Sequence, residues 1–331
     1  MIRFRPLLQH GPARPEGARL LGGGPLWFTH AERLSRDAQP TVVPADAVDP
    51  GALARLTAVR PPVLNLSMNR PRIMGIVNVT PDSFSDGGVH LDPQAAIAGA
   101  LDMVAAGAEI LDIGGESTRP GSATVPAEEE IARILPVIEG IRAASRIAIS
   151  VDTRKTAVAR AALAAGADLI NDVSGFSHDA TLAPFCAQHG LPVCVMHAQG
   201  DPETMQAAPR YDDVLLDVYD HLEARLSALE AQGIPRARIL ADPGIGFGKT
   251  LDHNLALLKD IALFHGLGAP ILLGVSRKRF IGTLSDEPKA DRRAPGSIAV
   301  GLAALAQGVQ ILRVHDVRET VQAVRLWEAV R

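Results

Sequence analysis

Cysteine is nearly absent. Cys186 and Cys194 are the only two in 331 residues, too few for a disulfide framework, and no metal-ligand spacing surrounds them. Cys194 sits in an apolar run with Val193 and Val195, as a core residue does, and Cys186 falls on a predicted helix. Aromatic residues make up only 4% of the chain, so Ala, Val, Ile and Leu must build the core. Positive charge is not in excess. A net charge of -4 removes the overall basic field that nucleic acid or an anionic membrane selects, and leaves local basic residues for small anions. The N-terminus carries Arg3, Arg5, Pro6, His10 and Pro12 without a continuous apolar stretch, which excludes a signal peptide. The longest apolar stretch, Ser297 to Leu312, is broken by Gln307, Gly308 and Gln310. It reads as helix, turn and strand rather than a membrane span, and cytoplasm is the expected compartment.

What is present is a repeat of form. Residues 1–70 stand apart, rich in Pro, Gly and Arg and poorly periodic, with one short helix expected near Pro50–Val59; they read as an N-terminal extension of uncertain structure. From Arg72 onward, short aliphatic runs ending in polar residues or glycine alternate with Ala/Leu-rich segments at helical spacing. The runs are Ile73–Val77, Glu109–Ile113, Ile147–Val151, Leu169–Ile170, Val193–Met196, Arg238–Ala241, Ile271–Val275 and Ile311–Val314. Helical spacing marks Ala95–Ala106, Glu128–Ala144, Lys155–Ala165, Asp212–Gln232 and Asn254–Phe264, and glycines such as Gly107 and Gly308 stand where helices should stop. Eight strand–helix units with strands lacking polar alternation predict a parallel sheet buried on both faces. Residues 71–331 are therefore expected to form an α/β (β/α)8 TIM barrel, a fold that takes roughly 250 residues.

Active sites of such barrels lie at the C-terminal ends of the strands. Those positions carry Asn78, then Thr80 to Gly88; Gly114 to Gly121; Asp152-Thr153-Arg154; Asn171-Asp172; Met196-His197; Asp242-Pro243-Gly244; Ser276 to Arg279; and Arg313 to Asp316. Any one of Asp152, Asp172 and Asp316 is as well explained as a helix cap. Eight polar ends together are not, because Asn, Lys, Arg and His are not preferred caps in that number. Asp152, Asn171, Asp242 and Lys278 offer acceptors and donors to a flat heterocycle, and a carboxylate accepts two parallel N–H bonds from an amino-pyrimidinone edge. Arg119, Arg313 and His315 suit a phosphate-like anion. The pairing suggests a heterocycle with a phosphorylated arm. Gly244-Ile245-Gly246-Phe247-Gly248-Lys249-Thr250 ends like a Walker A loop, but Pro243 replaces its first glycine and Lys249 the last glycine of GxGxxG. The Asn78-Val79-Thr80 sequon is a chance match at a buried strand end.

The segments Met74 to Gly88 (Met-Gly-Ile-Val-Asn-Val-Thr-Pro-Asp-Ser-Phe-Ser-Asp-Gly-Gly) and Asp112 to Gly121 (Asp-Ile-Gly-Gly-Glu-Ser-Thr-Arg-Pro-Gly) closely resemble the two leading signatures of dihydropteroate synthases. Asp242 to Lys249, Ser276-Arg277-Lys278 and Arg313 to Val317 are similar to later ones. The resemblance runs from about residue 70 to the C-terminus. It implies a pterin-binding barrel, usually a homodimer, that joins a dihydropterin pyrophosphate to p-aminobenzoate. It implies that Asp152, Asn171, Asp242 and Lys278 hold the pterin with Met196 beside it. Asn78 is implied beside Mg²⁺, and Thr118, Arg119, Arg313 and His315 at the pyrophosphate. Phe84, Asp86, Pro120, Phe247 and Lys278 are implied around p-aminobenzoate, with Asp86 also acting on the reacting cation or the metal. Loops Thr80–His90 and Gly114–Val125 are expected to close over the site, and Arg313→Ala to spare pterin affinity while turnover falls. Arg279 stands where many relatives carry serine; it either pairs with the arylamine carboxylate or points to solvent. Two other readings are a corrinoid-type pterin-dependent methyltransferase, which needs neither Ser-Thr-Arg-Pro-Gly nor Arg-Val-His, and a catalytically inactive pterin-binding paralogue.

Overall fold

The computed structural model describes residues 1–80, 92–117, 122, 124–200, 205–206 and 208–330. The extension is built first. β1 (Arg3–Pro6), β4 (His30–Ser35) and β5 (Ala38–Pro44) form an antiparallel sheet in the order β1-β4-β5, and β2 (Arg19–Leu20) pairs with β3 (Trp27–Phe28). Helix α1 (Pro50–Thr57) follows, with the Asp49 carboxylate accepting the Ala52 N–H and Pro50 at the first helical position, where a missing N–H costs nothing. Leu21, Leu26, Phe28, Ala45 and Leu56 give this unit a small core of its own. Ionic contacts fix it to the rest of the chain. Arg3 pairs with Asp220 at 2.7 Å, Arg36 with Asp217 at 2.6 Å and Arg5 with Asp260 at 3.0 Å. Buried Arg60 donates to the His265 carbonyl at 3.0 Å.

The expected barrel follows. Its strands are β6 (Arg72–Asn78), β7 (Ile110–Gly114), β8 (Ala148–Asp152), β9 (Leu169–Asp172), β10 (Val193–Met196), β11 (Ile239–Asp242), β12 (Leu272–Leu273) and β13 (Ile311–Val314). Neighbours run β11-β10-β9-β8-β7-β6-β13-β12, all parallel. The bridge between Ala241 and Ile271 joins β11 to the segment entering β12 and closes the ring. Outside it lie α2 (Pro93–Ala106), α3 (Ala127–Ala144), α4 (Thr156–Ala164), α5 (Leu182–Gln188), α6 (Val214–Ala231), α7 (Leu251–Lys259), α8 (Arg279–Ser285), α9 (Ala294–Ala306) and α10 (Val317–Val330). Gly107 ends α2 at φ 109°, a left-handed conformation that a Cβ resists. The helix expected over 254–264 stops at Lys259, and a 3-10 turn covers Ile261–Leu267. No helix among the described residues is long and apolar enough to cross a membrane.

Strand period sets the depth of each inward side chain. Met74, Ile110, Leu169, Cys194, Leu240, Leu272 and Ile311 form an apolar floor, closed from below by Val63 and Met68. Those two flank a tight turn in which Val63 and Leu66 exchange backbone hydrogen bonds and Leu64 and Asn65 take φ 55° and 62°. A leucine in that region costs roughly 1–2 kcal/mol. Burying one large aliphatic side chain contributes about 1.5–3 kcal/mol, so seating the plug offsets the strain. Residues 63–68 are thus part of the barrel floor, although they precede residue 71.

Candidate active site

Two residues above the floor the inner wall turns polar. From Ile110, Ala148, Leu169, Leu240 and Ile311, the period of two brings Asp112, Ser150, Asn171, Asp242 and Arg313 onto the same inner face. Asp152 is one further step up β8. The register places Asp112 opposite Ser150, Asp152 opposite Asn171, and Met196 opposite Asp242.

Asp112 is the hub of this layer. It is fully buried and accepts three bonds: from Ser150 Oγ at 2.5 Å, Asn171 Nδ2 at 3.1 Å and Arg313 Nε at 2.5 Å. Arg313 Nη2 reaches across to Asp152 Oδ2 at 2.9 Å. Asp152 Oδ1 is buried and has no partner. The motif resemblance implies Arg313 at the leaving group. In the structure its Nε and Nη2 bond the Asp112 and Asp152 carboxyl groups. Asp242 Oδ1 accepts the Gly244 N–H at 2.7 Å. The Lys278 ammonium bonds the Ile245 carbonyl and lies 4.5 Å from the centre of the Phe247 ring. Met196 is buried beside them.

The electrostatics describe a site prepared for donors. Burial raises the Asp152 carboxyl above its ordinary range; Arg313 opposes the shift and the Asp112 charge adds to it. Burial likewise raises Asp242, against the pull of Lys278. Burial brings Lys278 down to about 8, with Asp242 opposing. Burial also works against the Arg313 charge, but Asp112 and Asp152 outweigh it and hold the guanidinium protonated. Three carboxyl groups thus share this layer with Lys278 and Arg313. A ligand edge rich in N–H groups supplies what the layer lacks, and the unpartnered Asp152 oxygen marks where.

At the rim, Ser276 Oγ meets both the backbone N and Nδ1 of His315, at 3.1 and 2.9 Å. Arg277 grips Asp316 with two bonds, at 3.0 and 2.5 Å. The ends of β12 and β13 are thereby clasped, and Lys278 and His315 leave from adjacent points. Asp316 therefore spends its side chain on an ion pair rather than a cap. Asp172 is not a helix cap either: it holds the turn after β9 through the N–H groups of Ser174 and Phe176. Asn78 ends β6 on the inward face, by the same alternation as Met74. A cavity of about 370 Å³ opens over the β8–β11 side, lined by Arg154, Val173, Ser174, His178, Met205 and Phe247 among others. Arg279 opens α8 and is exposed. Phe84, Asp86, Thr118, Arg119 and Pro120 lie outside the described residues, with most of the two loops that carry them.

Sequence reasoning passed over three participants. Asp112 was visible only by counting back two residues from Gly114 along an inward face. Buried Glu116 accepts the Val125 N–H at 2.9 Å and pairs with Lys155 at 3.2 Å, tying two points of the second loop to β8; the signal was a carboxylate in a motif that faces Arg154-Lys155 after the next strand. Lys249 was read as the end of a failed phosphate loop and of a segment similar to the family's, with no role of its own.

The pterin binding enzyme family profile matches residues 74–315. Dihydropteroate synthase of Escherichia coli K12 is 48% identical over 265 residues, which is 80% of this chain and 93% of that protein. The dihydropteroate synthase of Xanthomonas albilineans, solved with 4-aminobenzoic acid, superposes with a TM-score of 0.76 at 48% identity, over 80% of this chain and 94% of that one. The same enzyme solved with 7,8-dihydropteroate gives 0.73 at 46% identity, over 80% and 95%. With a polar layer suited to a donor-rich ring and relatives matched over nearly their whole length, the chain belongs to the dihydropteroate synthase family of pterin-binding enzymes.

Proposed function

We propose that the protein condenses 6-hydroxymethyl-7,8-dihydropterin pyrophosphate with p-aminobenzoate, giving 7,8-dihydropteroate and pyrophosphate for folate biosynthesis. The observation that carries this reading is the buried, unpartnered Asp152 Oδ1 in a wall that also holds Asn171, Asp242 and Lys278. Asp152 and Asp242 take the amino-pyrimidinone N–H groups, Asn171 and Lys278 the complementary acceptors, and Met196 packs on the ring. The C–O bond to pyrophosphate breaks, leaving a methylene cation that the electron-rich dihydropterin stabilises. The arylamine nitrogen attacks that carbon and loses a proton. His315, Arg119 and Thr118 stabilise the departing diphosphate, Arg313 supports the pterin carboxylates below it, and Phe84, Asp86, Pro120 and Phe247 shape the arylamine side.

Mg²⁺ fits this site only in company. Magnesium binds through one or two protein oxygens completed by phosphate and water, and the described residues offer the Asn78 amide oxygen with no cluster of three acidic, histidine or cysteine ligands. Bound there with pyrophosphate, it would neutralise charge on the leaving group. The assay that tests the function mixes protein, dihydropterin pyrophosphate, p-aminobenzoate and Mg²⁺ and follows dihydropteroate by mass spectrometry. Product is expected, and chelation should reduce it. A folded, pterin-binding protein that makes none would reject this reading and leave the inactive paralogue.

The assembly is proposed to be a homodimer. Helix α9 (sequence APGSIAVGLAALA) is apolar nearly all round, yet Ile298, Val300 and Leu302 are only partly buried; a helix of that kind is ordinarily covered on every side. Light scattering should give about twice the 34.9 kDa chain mass. A monomeric mass at micromolar concentration would remove the dimer. Both cysteines are buried free thiols, which accords with a reducing cytoplasm.

A further inference from the structure

The glycine loop after β11 is not a phosphate cradle but a ring of carbonyls held by side chains. Gly244 O accepts from Lys249 Nζ at 2.9 Å, Ile245 O from Lys278, Gly246 O from Gln206 at 2.6 Å, Phe247 O from Lys249 Nζ at 3.0 Å and Gly248 O from Tyr211 at 2.7 Å. Every carbonyl of the run is claimed, two of them by Lys249 Nζ. Lys249 Nζ also meets His197 Nδ1 at 2.8 Å and the His197 carbonyl at 3.3 Å. A Cβ on Gly244 would lie 1.9 Å from that same carbonyl, so loop and β10 exit touch backbone to backbone. Burial, and then the charge of Lys249, press the His197 ring down to about 2. The ring is therefore neutral, and with Lys249 Nζ as the donor of their 2.8 Å bond, Nδ1 accepts and the proton is on Nε2.

We propose that Lys249, braced by His197, is a positioning residue for the p-aminobenzoate half of the site, acting through the Phe247 ring and the Ile245 carbonyl that place Lys278. The chemistry requires this kind of brace. Lys278 stands between ring and arylamine, and its two contacts outside the carboxylate layer are the Ile245 carbonyl and the face of Phe247. Both belong to a loop with left-handed backbone at Gly244, Gly246 and Gly248, where the Phe247 N–H bonds the Gly244 carbonyl at 3.1 Å and the Gly246 N–H bonds Asn254 Oδ1 at 2.7 Å. Lys249 Nζ adds to these from within by joining the Gly244 and Phe247 carbonyls. Of the proposed pterin contacts, Asp152 and Asn171 come from other strands and do not pass through this loop, whereas Asp242 and Lys278 are bonded to it.

The inference rests on the function proposed above, and its test is binding, so that the two fail separately. The probe is p-aminobenzoate titrated calorimetrically into protein loaded with 6-hydroxymethylpterin, pyrophosphate and Mg²⁺. Lys249→Met keeps the length and removes the donors. Its p-aminobenzoate affinity should fall about tenfold or more, because a misplacement of about 1 Å in a site can cost about a hundredfold. Pterin affinity should fall by clearly less than p-aminobenzoate affinity, because Asp152 and Asn171 hold the pterin from strands outside this loop. His197→Asn, which returns an acceptor near the Nδ1 position, should bind p-aminobenzoate like the parent, and His197→Leu should weaken it. Equal losses of pterin and p-aminobenzoate in Lys249→Met would overturn the proposal. If that variant does not fold, matching affinities for His197→Asn and His197→Leu overturn it instead. A parent protein that binds p-aminobenzoate but forms no product sinks only the proposed function.

Discussion

Arg313→Ala is expected to lose several kcal/mol of stability and at least about a thousandfold in turnover, with a stability deficit that widens as pH rises. The guanidinium is the only described side chain that bonds both Asp112 and Asp152. Removing one partner of a buried pair costs about 3–5 kcal/mol because the other charge is left uncompensated. The chain can reduce that cost by protonating a carboxyl. Without the cation, burial raises the folded-state pKa of Asp152 still further above the unfolded one. The sign follows: a carboxyl whose folded pKa is raised loses stability as pH climbs from the ordinary carboxylate range through the folded value. Asp152 is already raised to about 8 in the parent, so the variant's deficit should be flat below that pH and widen above it. Arg313→Lys keeps a charge but not the fork that spans two carboxylates, and should recover only part of the loss. Pterin affinity should fall together with turnover, unlike the selective loss of turnover that motif reading alone implies, because Asp152 is steered by Arg313. Urea melts at two pH values with a pterin titration decide it. A deficit below about 1 kcal/mol that does not change with pH would mean that the Asp112–Arg313–Asp152 chain is not a coupled unit.

The barrel was legible because parallel strands buried on both faces are written as uninterrupted aliphatic runs, and because glycines stop the helices between them. Even β12, two residues long, was signalled by the longer run Ile271–Val275. The extension was not legible for a related reason. Its β2 and β3 have two residues each, and β5 is exposed along nearly all its length, so no period can be read from them. The plug was hidden by its chemistry: Leu64 and Asn65 adopt a turn that sequence normally announces with glycine. In the site, residues at strand ends were found by position, since the strand-end rule points to them directly. Asp112 escaped because it lies inside a strand, where a charge is ordinarily excluded. Lys249 escaped because its partners are backbone carbonyls, which a sequence does not distinguish.

Asp152→Asn should weaken pterin binding by about 2–4 kcal/mol, or roughly thirty- to a thousandfold, and yet make the ligand-free protein more stable at neutral and alkaline pH. The two effects share a cause. Asp152 stands in an interior where burial, and then the neighbouring Asp112, disfavour its charge, only partly answered by Arg313. One of its oxygens has no partner at all. Its folded pKa is therefore raised, and ionising it costs folding free energy from the ordinary carboxylate range upward, at about 1.36 kcal/mol for each tenfold loss of acidity on folding. Asparagine keeps an oxygen for Arg313 Nη2 and drops the charge, so the melting temperature should rise by a few degrees near pH 8, where 1 kcal/mol corresponds to about 2–4 °C in a chain of this size or somewhat smaller. The advantage should vanish below about pH 3, where the parent carboxyl is protonated in both states. Added pterin should reverse the order, because the parent then gains two charge-assisted bonds that an amide offering one acceptor and two donors cannot reproduce. Calorimetric melts with and without 6-hydroxymethylpterin across that pH range read both halves. An asparagine variant less stable than the parent at pH 8, or one that binds pterin unchanged, would show that the free Asp152 oxygen is not held in reserve for the ligand.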